Sequence, residues 1–183
     1  MYNQIQLQEL EEGWFYYDHA WLLLHHLIKQ IVGKSVLDVG CGTGMALSII
    51  KAAKPFLSTQ GLEPSSEAQS IWDARSLDVV VGSATSMPFV DRQFDTVISS
   101  HVIEHIDDHL TAVREIVRVS SSRAIIVVPC GNVDLKNPGS PHLRYYNRQN
   151  FKSLIQEAVT SESFHCYSLP HPHINNHIAI IDK

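Results

Sequence analysis

Val36-Leu37-Asp38-Val39-Gly40-Cys41-Gly42-Thr43-Gly44 joins a short apolar segment to a turn in which every second residue is glycine. Residues 36–39 have the character of a strand that is buried on both faces. Residues from Met45 onward have helical propensity, so the glycines lie where a strand leads into the N-terminus of a helix. A turn without Cβ atoms lets a ligand approach the backbone closely. The stretch therefore predicts an α/β fold that binds ligand at the carboxyl end of a strand.

The spacing of the glycines distinguishes two kinds of cofactor turn. A dinucleotide-binding G-x-G-x-x-G turn would need its third glycine at position 45, which is Met45. The stretch VLDVGCGTG instead resembles motif I of the class I S-adenosylmethionine-dependent methyltransferases, of the type 11-like group, and the resemblance covers about residues 33 to 183. It implies that S-adenosylmethionine is the cofactor and that the turn contacts it through Asp38, Gly40, Cys41 and Gly42.

Length and composition bound the architecture. A chain of 183 residues with 44% hydrophobic and 18% charged residues predicts one globular domain, residues 1–183, in which residues 1–33 form an N-terminal arm and a covering helix. No run of about 18 apolar residues is present, and acidic residues stand where a signal peptide would be basic. We therefore expect a cytoplasmic protein without membrane contact. Cys41, Cys130 and Cys166 are too scattered for a disulfide framework or a zinc site.

The overall charge argues against one class of substrate. A net charge of -5 and a pI of about 6.1 do not provide the basic face that binding to a phosphate backbone requires. We therefore expect no nucleic-acid partner and a small-molecule methyl acceptor. The oligomeric state does not follow from the sequence.

Strands and helices are predicted to alternate along the chain, which is typical of a doubly wound sheet with helices on both faces. The resemblance implies seven strands, mostly parallel, in the order 3-2-1-4-5-7-6 with strand 7 antiparallel. A covering helix is expected from Asp18 to Gly33. The other expected helices begin at Met45 and at Asp107 or span 65–76 and 151–159, and the remaining strands span 57–62, 77–81, 94–100, 123–128, 164–169 and 177–181.

Three further segments are expected to contact the cofactor. Glu63-Pro64 ends the second strand, 23 residues after Gly40, where an acid can accept both ribose hydroxyls of an adenosine. The loop with Ser83 and Ala84 corresponds to the one that cups adenine in the family, although Ser83 stands where an Asp is common. Adenine recognition must then use the serine hydroxyl or backbone groups. The resemblance also implies a lid contact from Tyr17 in the arm, for which packing of an aromatic cluster is the alternative.

The end of the fourth strand is expected to face the methyl acceptor. The resemblance implies that Ser100 borders the cofactor and that His101 projects toward the transferred methyl group. An imidazole there can accept a proton from a hydroxyl or ammonium acceptor. The alternative is that His101 forms only part of the pocket wall.

The histidines suggest a metal site, which we weigh against a structural role. His101-Val-Ile-Glu104-His105 matches the H-x-x-E-H of inverted zinc proteases, but it lies at a strand end and not within a long helix. Some methyltransferases of RNA 3′ ends and of the ubiquinone pathway hold a divalent ion at this place, and here His142 could join these residues. We expect no metal requirement, because in most of the family the Glu-His pair caps or braces the helix. His171, His173 and His177 are expected to lie on a solvated turn.

The sequence thus favours an S-adenosylmethionine-dependent methyltransferase that acts on a small molecule. Two alternatives remain open. One is a protein of the same fold that binds cofactor or a partner without turnover. The other is a nicotinamide-dependent reductase, which Met45 and the lack of a substrate domain disfavour.

Overall fold

The computed structural model describes residues 18–130, 142–170 and 175–183. These residues form one sheet with helices packed against it. The strands are β1 (Ser35–Val39), β2 (Ser58–Glu63), β3 (Val79–Val81), β4 (Phe94–Ser100), β5 (Ser120–Pro129), β6 (Ser163–Leu169) and β7 (Asn176–Asp182). The helices are α1 (Asp18–Gln30), α2 (Met45–Ala53), α3 (Gln69–Ala74), α4 (His109–Val119) and α5 (Arg148–Ala158), and Ile103–His105 is a 3₁₀ helix.

The strand order is β3-β2-β1-β4-β5-β7-β6, which confirms the predicted topology. The pairs among β1 to β5 are parallel, whereas β7 runs antiparallel to β5 and β6. The central strand β1 ends between two neighbours, because Val39 pairs with Leu62 of β2 and with Ser99 of β4. The carboxyl ends of these three strands therefore meet at one edge of the sheet, which is where parallel α/β sheets bind ligands.

Alternate residues of the central strands point to opposite faces of the sheet, and each face packs against helices in an apolar layer. Along β5, Ile125 and Val127 pack with Leu23, Leu24 and Leu27 of α1 on one face of the sheet. Ala124, Ile126 and Val128 pack with residues of α4 and α5 on the other face. Burial on both faces explains why residues 124–128 of β5 are apolar without interruption. Among the described residues, no helix has both the length and the apolar character to cross a lipid bilayer.

Several boundaries differ from the predicted ones. The predicted helix 65–76 is only Gln69–Ala74, and the cap of α4 is Asp108, whose side chain accepts a hydrogen bond from Thr111 N at 3.0 Å, and not Asp107. β5 begins at Ser120, three residues before its predicted start. Packing and capping with distant partners decide such ends, and these are invisible to local patterns.

Candidate functional site

The glycine turn after β1 adopts a backbone that other residues rarely adopt. Gly40 and Gly42 have φ of 74° and 54°, in the left-handed region that favours glycine. A Cβ on Gly40 would lie 2.4 Å from Val102 Cγ2, so packing alone requires glycine there. A Cβ on Gly42 would meet no atom of a described residue within 4 Å. As far as the described part of the chain extends, the centre of the turn therefore has room for a ligand.

Glu63 at the end of β2 lies directly against this turn. Its Oε2 accepts a hydrogen bond from Gly42 N at 2.9 Å. Burial raises the pKa of Glu63, and the hydrogen bonds from the backbone of Gly42 and Ser65 partly offset that rise. The structure thus brings the predicted ribose ligand and the predicted cofactor turn into contact.

Asp38 and Cys41 flank the same turn but are withdrawn from solvent. Burial, together with the nearby carboxyl of Glu63, raises the pKa of Asp38 to about 7. Burial likewise raises the pKa of the Cys41 thiol, with added contributions from Asp38 and Glu63. The thiol is therefore protonated and unreactive at neutral pH, and Cys41 contributes its backbone to the turn.

The loop after β3 joins the site through the backbone. Gly82 N donates to Glu63 O at 3.0 Å, which places Ser83 and Ala84 beside the end of β2. The Ser83 hydroxyl is hydrogen-bonded to Thr85 Oγ1 at 2.8 Å and accepts from Thr85 N at 3.2 Å. The Ser83 hydroxyl is therefore engaged within its own turn, and its predicted contact with adenine stays a prediction.

Trp72 of α3 braces the glycine turn, and the sequence did not predict this role. Its side chain is fully buried, and its Nε1 donates to Gly42 O at 2.8 Å. Arg75 adds a hydrogen bond from Nη1 to Thr43 O at 3.1 Å. No local pattern marks either contact, because each bridges about 30 residues of chain.

The end of β4 forms the opposite wall of the site. The hydroxyls of Ser99 and Ser100 are buried and make no hydrogen bond to a described residue. The next residue, His101, has φ of 58°, and its N donates to Val127 O at 3.0 Å. The chain therefore turns sharply at His101, and Val102 then packs onto Gly40.

Glu104 lies in the 3₁₀ helix that follows, and its side chain is fully buried. Its Oε1 is 3.8 Å from His101 Nδ1 and 3.9 Å from His105 Nε2, and burial raises the pKa of the carboxyl to about 7. The residue's own backbone N–H partly offsets that rise, and neither carboxyl oxygen accepts a hydrogen bond from another described residue. The expectation that the Glu-His pair caps or braces the helix therefore stays a prediction.

His142 reaches the same cluster from a distant part of the chain. Glu104, His105 and His142 each offer one ligand atom, and these atoms lie within 4.8 Å of one another. The rings of His105 and His142 have centroids 4.7 Å apart. The structure thus brings together three of the four residues that the sequence considered as metal ligands, and His101 faces Glu104 as well.

Other predicted residues have different outcomes. Tyr17, His171 and His173 lie outside the described residues. The expectation that His177 is solvated is wrong, because it lies in β7, is 7% exposed, and its Nδ1 is 2.9 Å from Ser168 Oγ. Its ring stacks on Phe151 of α5, so helix packing removes it from solvent.

Comparisons with known proteins identify the family and the fold. A family model described as a methyltransferase domain matches residues 37–128, about half of the chain. Ajmaline N-methyltransferase from Rauvolfia serpentina is 38% identical over 103 residues, which cover 52% of this chain and 35% of that protein. A Mus musculus protein named "Probable tRNA methyltransferase 9B" is 27% identical over 154 residues, which cover 80% and 34%. The chain therefore spans about a third of the length of these curated relatives.

Solved structures share the fold. A Thermotoga maritima protein, described as an S-adenosylmethionine-dependent methyltransferase and possible histamine N-methyltransferase, superposes with a TM-score of 0.76 at 20% identity. The match covers 97% of this chain and 95% of that one. At this identity, the likeness concerns the fold alone.

Proposed function

Because this chain belongs to the class I S-adenosylmethionine-dependent methyltransferase family, we propose that it transfers a methyl group from S-adenosylmethionine to a small-molecule acceptor. The observation that carries the proposal is the contact between Glu63 and the open glycine turn at Gly42. A carboxylate beside a turn in which every second residue is glycine suits a ribose. The two ribose hydroxyls need acceptors, and the rest of the ligand must pass close to the backbone.

The residues present fit the cofactor at three strand ends. The glycine turn has open space at its centre, Glu63 provides the carboxylate, and the loop after β3 is joined to the end of β2. S-adenosylmethionine supplies an electrophilic methyl group on a sulfonium when it is bound. We assign its contacts to Asp38, Gly40, Cys41, Gly42, Glu63, Pro64, Ser83, Ala84 and Ser100, with Tyr17 as the proposed lid.

The protein contributes mainly position and a proton acceptor. Methyl transfer is an in-line displacement, so holding the acceptor in line with the methyl group supplies most of the rate. We place their meeting point at the end of β4, where the hydroxyls of Ser99 and Ser100 are buried and make no hydrogen bond to a described residue. We assign the role of general base to His101, which leaves the end of β4 next to them.

The charge of the chain supports a small acceptor. Its net charge of -5 is unfavourable for binding a polyanion. Ajmaline, the compound in the name of one relative, is a small molecule, whereas another relative is named for tRNA. We therefore propose a small organic acceptor. An acceptor screen should include tRNA, because methyl transfer to tRNA alone would contradict this proposal.

Calorimetry tests the cofactor assignment. We expect S-adenosylmethionine and its demethylated product to bind with dissociation constants of about 1–100 μM, and NADH not to bind. Glu63→Ala should weaken binding by about 1.5–3 kcal/mol, the loss expected for charge-assisted hydrogen bonds. Glu67→Ala, which removes an exposed carboxylate four residues away, serves as the matched control and should bind as the wild type does.

Transfer of a labelled methyl group tests the reaction. Pools of small metabolites should accept label from the cofactor, and bulk tRNA should not. Tight binding of NADH without binding of the methionine cofactor would refute the cofactor assignment. Cofactor binding without transfer to any pool would favour the non-catalytic alternative, and transfer to tRNA alone would refute the small-molecule assignment.

A further inference from the structure

The carboxyl group of Glu104 is buried without a hydrogen bond from another described residue. Its side chain has no solvent exposure. Buried polar groups in native proteins are almost always paired, because an unpaired one costs several kcal/mol. The imidazoles of His101 and His105 lie near it, at 3.8 and 3.9 Å from Oε1, which is ion-pair distance but beyond hydrogen-bond reach. A further group held between the carboxyl group and these rings would complete its coordination.

The spacing of the neighbouring side chains indicates what that further group is. His105 Nε2 is 3.9 Å from Glu104 Oε1, which is too long for a hydrogen bond. Two ligands bound to one ion at about 2.1 Å each lie roughly 3–4 Å apart. The ligand atoms of Glu104, His105 and His142 all lie within 4.8 Å of one another, so small rotations of the rings bring all three to one ion.

The backbone holds this cluster in place. His142 comes from the segment before α5, and Leu143 N donates to Glu104 O at 3.0 Å. Arg144 donates from Nη1 to Ile103 O at 3.1 Å and from Nη2 to Asp107 O at 3.0 Å. The segment that carries His142 is thus fastened to the turn that carries Glu104 and His105, as a preformed site requires.

We propose that Glu104, His105 and His142 bind a divalent first-row transition ion. Two imidazoles and one carboxylate form a donor set that suits Zn²⁺, Fe²⁺ or Co²⁺, whereas Mg²⁺ and Ca²⁺ prefer oxygen ligands. Three protein ligands leave coordination positions open. The proposal is the alternative to the expectation that the Glu-His pair only caps or braces the helix and that no metal is required.

The location suggests what the open positions do. Val102, two residues before Glu104, packs onto Gly40 of the glycine turn, so the cluster lies beside the proposed site of methyl transfer. An oxygen or nitrogen of the acceptor can occupy an open position and be oriented there. This role rests on the proposed function, whereas binding of the ion does not.

Titration with Co²⁺ tests the site without any methyl transfer. Protein stripped with chelator should bind one equivalent and develop d–d absorption in the visible range. Glu104→Gln and His142→Ala should each weaken Co²⁺ binding by more than about 100-fold. Substitution of a residue that only supports a metal ligand typically lowers metal affinity by about 10- to 100-fold, so a larger loss indicates a direct ligand. His105→Ala, at a side chain that is 31% exposed, provides a third variant that is expected to fold even if a buried substitution does not.

Two controls separate this site from the other histidines. His25→Ala removes an exposed histidine of α1, and the double variant His171→Ala/His173→Ala removes the Pro-His-Pro-His sequence. Both control variants should still bind one equivalent of Co²⁺ and show the same d–d absorption as the wild-type protein. Excess Mg²⁺ should not displace Co²⁺.

Two results would overturn the proposal. One is binding that survives in folded Glu104→Gln, His142→Ala and His105→Ala, or that disappears only in the double variant. The other is ready displacement of Co²⁺ by Mg²⁺, which would contradict the argument from the donor set. Failure of methyl transfer leaves these results unaffected, because cofactor and acceptor are absent from the titration.

Discussion

His101 combines an unfavourable backbone conformation with an imidazole at the end of β4. Its φ of 58° costs a residue other than glycine about 1–2 kcal/mol. The hydrogen bond from its N to Val127 O holds the residue in this conformation. Such strain is concentrated at functional sites, where the surrounding structure enforces it. The turn directs the chain away from the sheet immediately after Ser100, which is why His101 borders the proposed site of transfer.

We predict that His101→Ala and His101→Gln lower the turnover number by about 10²- to 10⁴-fold, the usual contribution of a positioned base. Turnover is measured at saturating cofactor on an acceptor found in the labelling screen, and calorimetry should give unchanged cofactor affinity. His25→Ala is the control for loss of a histidine elsewhere. If both variants keep most of their turnover, His101 is a wall residue. If these variants still bind Co²⁺, their lower turnover results from loss of the base and not from loss of a bound metal ion.

Among the secondary-structure elements, the six-residue helix α3 supports the conformation of the glycine turn. It presents Trp72 to the glycine turn, and the indole N–H satisfies the carbonyl of Gly42. Leu77, just beyond the helix, lies where a Cβ on Gly44 would be, at 2.3 Å. The conformation of the turn therefore depends on contacts from α3 and the residues just after it.

Trp72→Phe should keep most of the apolar contact and remove the hydrogen bond. We expect the free energy of unfolding to fall by about 1–3 kcal/mol and the cofactor to bind more weakly. Chemical denaturation and calorimetry measure the two effects. Ser120→Ala removes another buried hydrogen bond, from Ser120 Oγ to Val117 O, and should cost about 0.5–1.5 kcal/mol of stability without changing cofactor affinity. Unchanged affinity in Trp72→Phe would contradict the bracing role.

Over the whole molecule, carboxyl groups act in opposite directions on stability. Burial raises the pKa of Asp38 and of Glu63 near the cofactor turn. Hydrogen bonds lower the pKa of Asp95, mainly through the backbone N–H of Lys34, and of Glu115, mainly through Arg118. A folded-state pKa that is raised makes the free energy of unfolding fall as pH rises, whereas a lowered one makes it rise. The pH dependence of the wild-type free energy of unfolding is the sum of these contributions. Substituting one carboxyl group at a time separates them.

Asp38→Asn tests the buried group. The unfolded chain loses this proton near pH 4, whereas the folded protein keeps it up to about pH 7. The contribution of Asp38 to the free energy of unfolding therefore falls between pH 4 and pH 7, because the unfolded chain can release the Asp38 proton in this range and the folded protein cannot. Relative to wild type, Asp38→Asn should gain about 1–3 kcal/mol between pH 4.5 and pH 8, as measured by urea denaturation. Asp95→Asn should change in the opposite direction, and a constant difference between Asp38→Asn and wild type would contradict the pKa.

Much of the architecture was predictable because its causes are local. The limits of β4 were predicted correctly, and the order of the seven strands followed from the resemblance carried by the glycine turn. Helix ends were predicted less well. α5 begins at Arg148 because Asn147 caps it through the N–H groups of Gln149 and Asn150, whereas the apolar pattern pointed to Phe151.

The sequence by itself determined the sheet, the glycine turn and the acid that follows it, because periodic burial and the steric freedom of glycine act between near neighbours. Tertiary structure alone decided that Trp72 braces Gly42, that His177 is buried against α5, and that His142 joins Glu104 and His105. Each of these contacts joins residues from different elements. Its free energy arises only when the sheet and its two layers have formed, so no local pattern in the sequence records it.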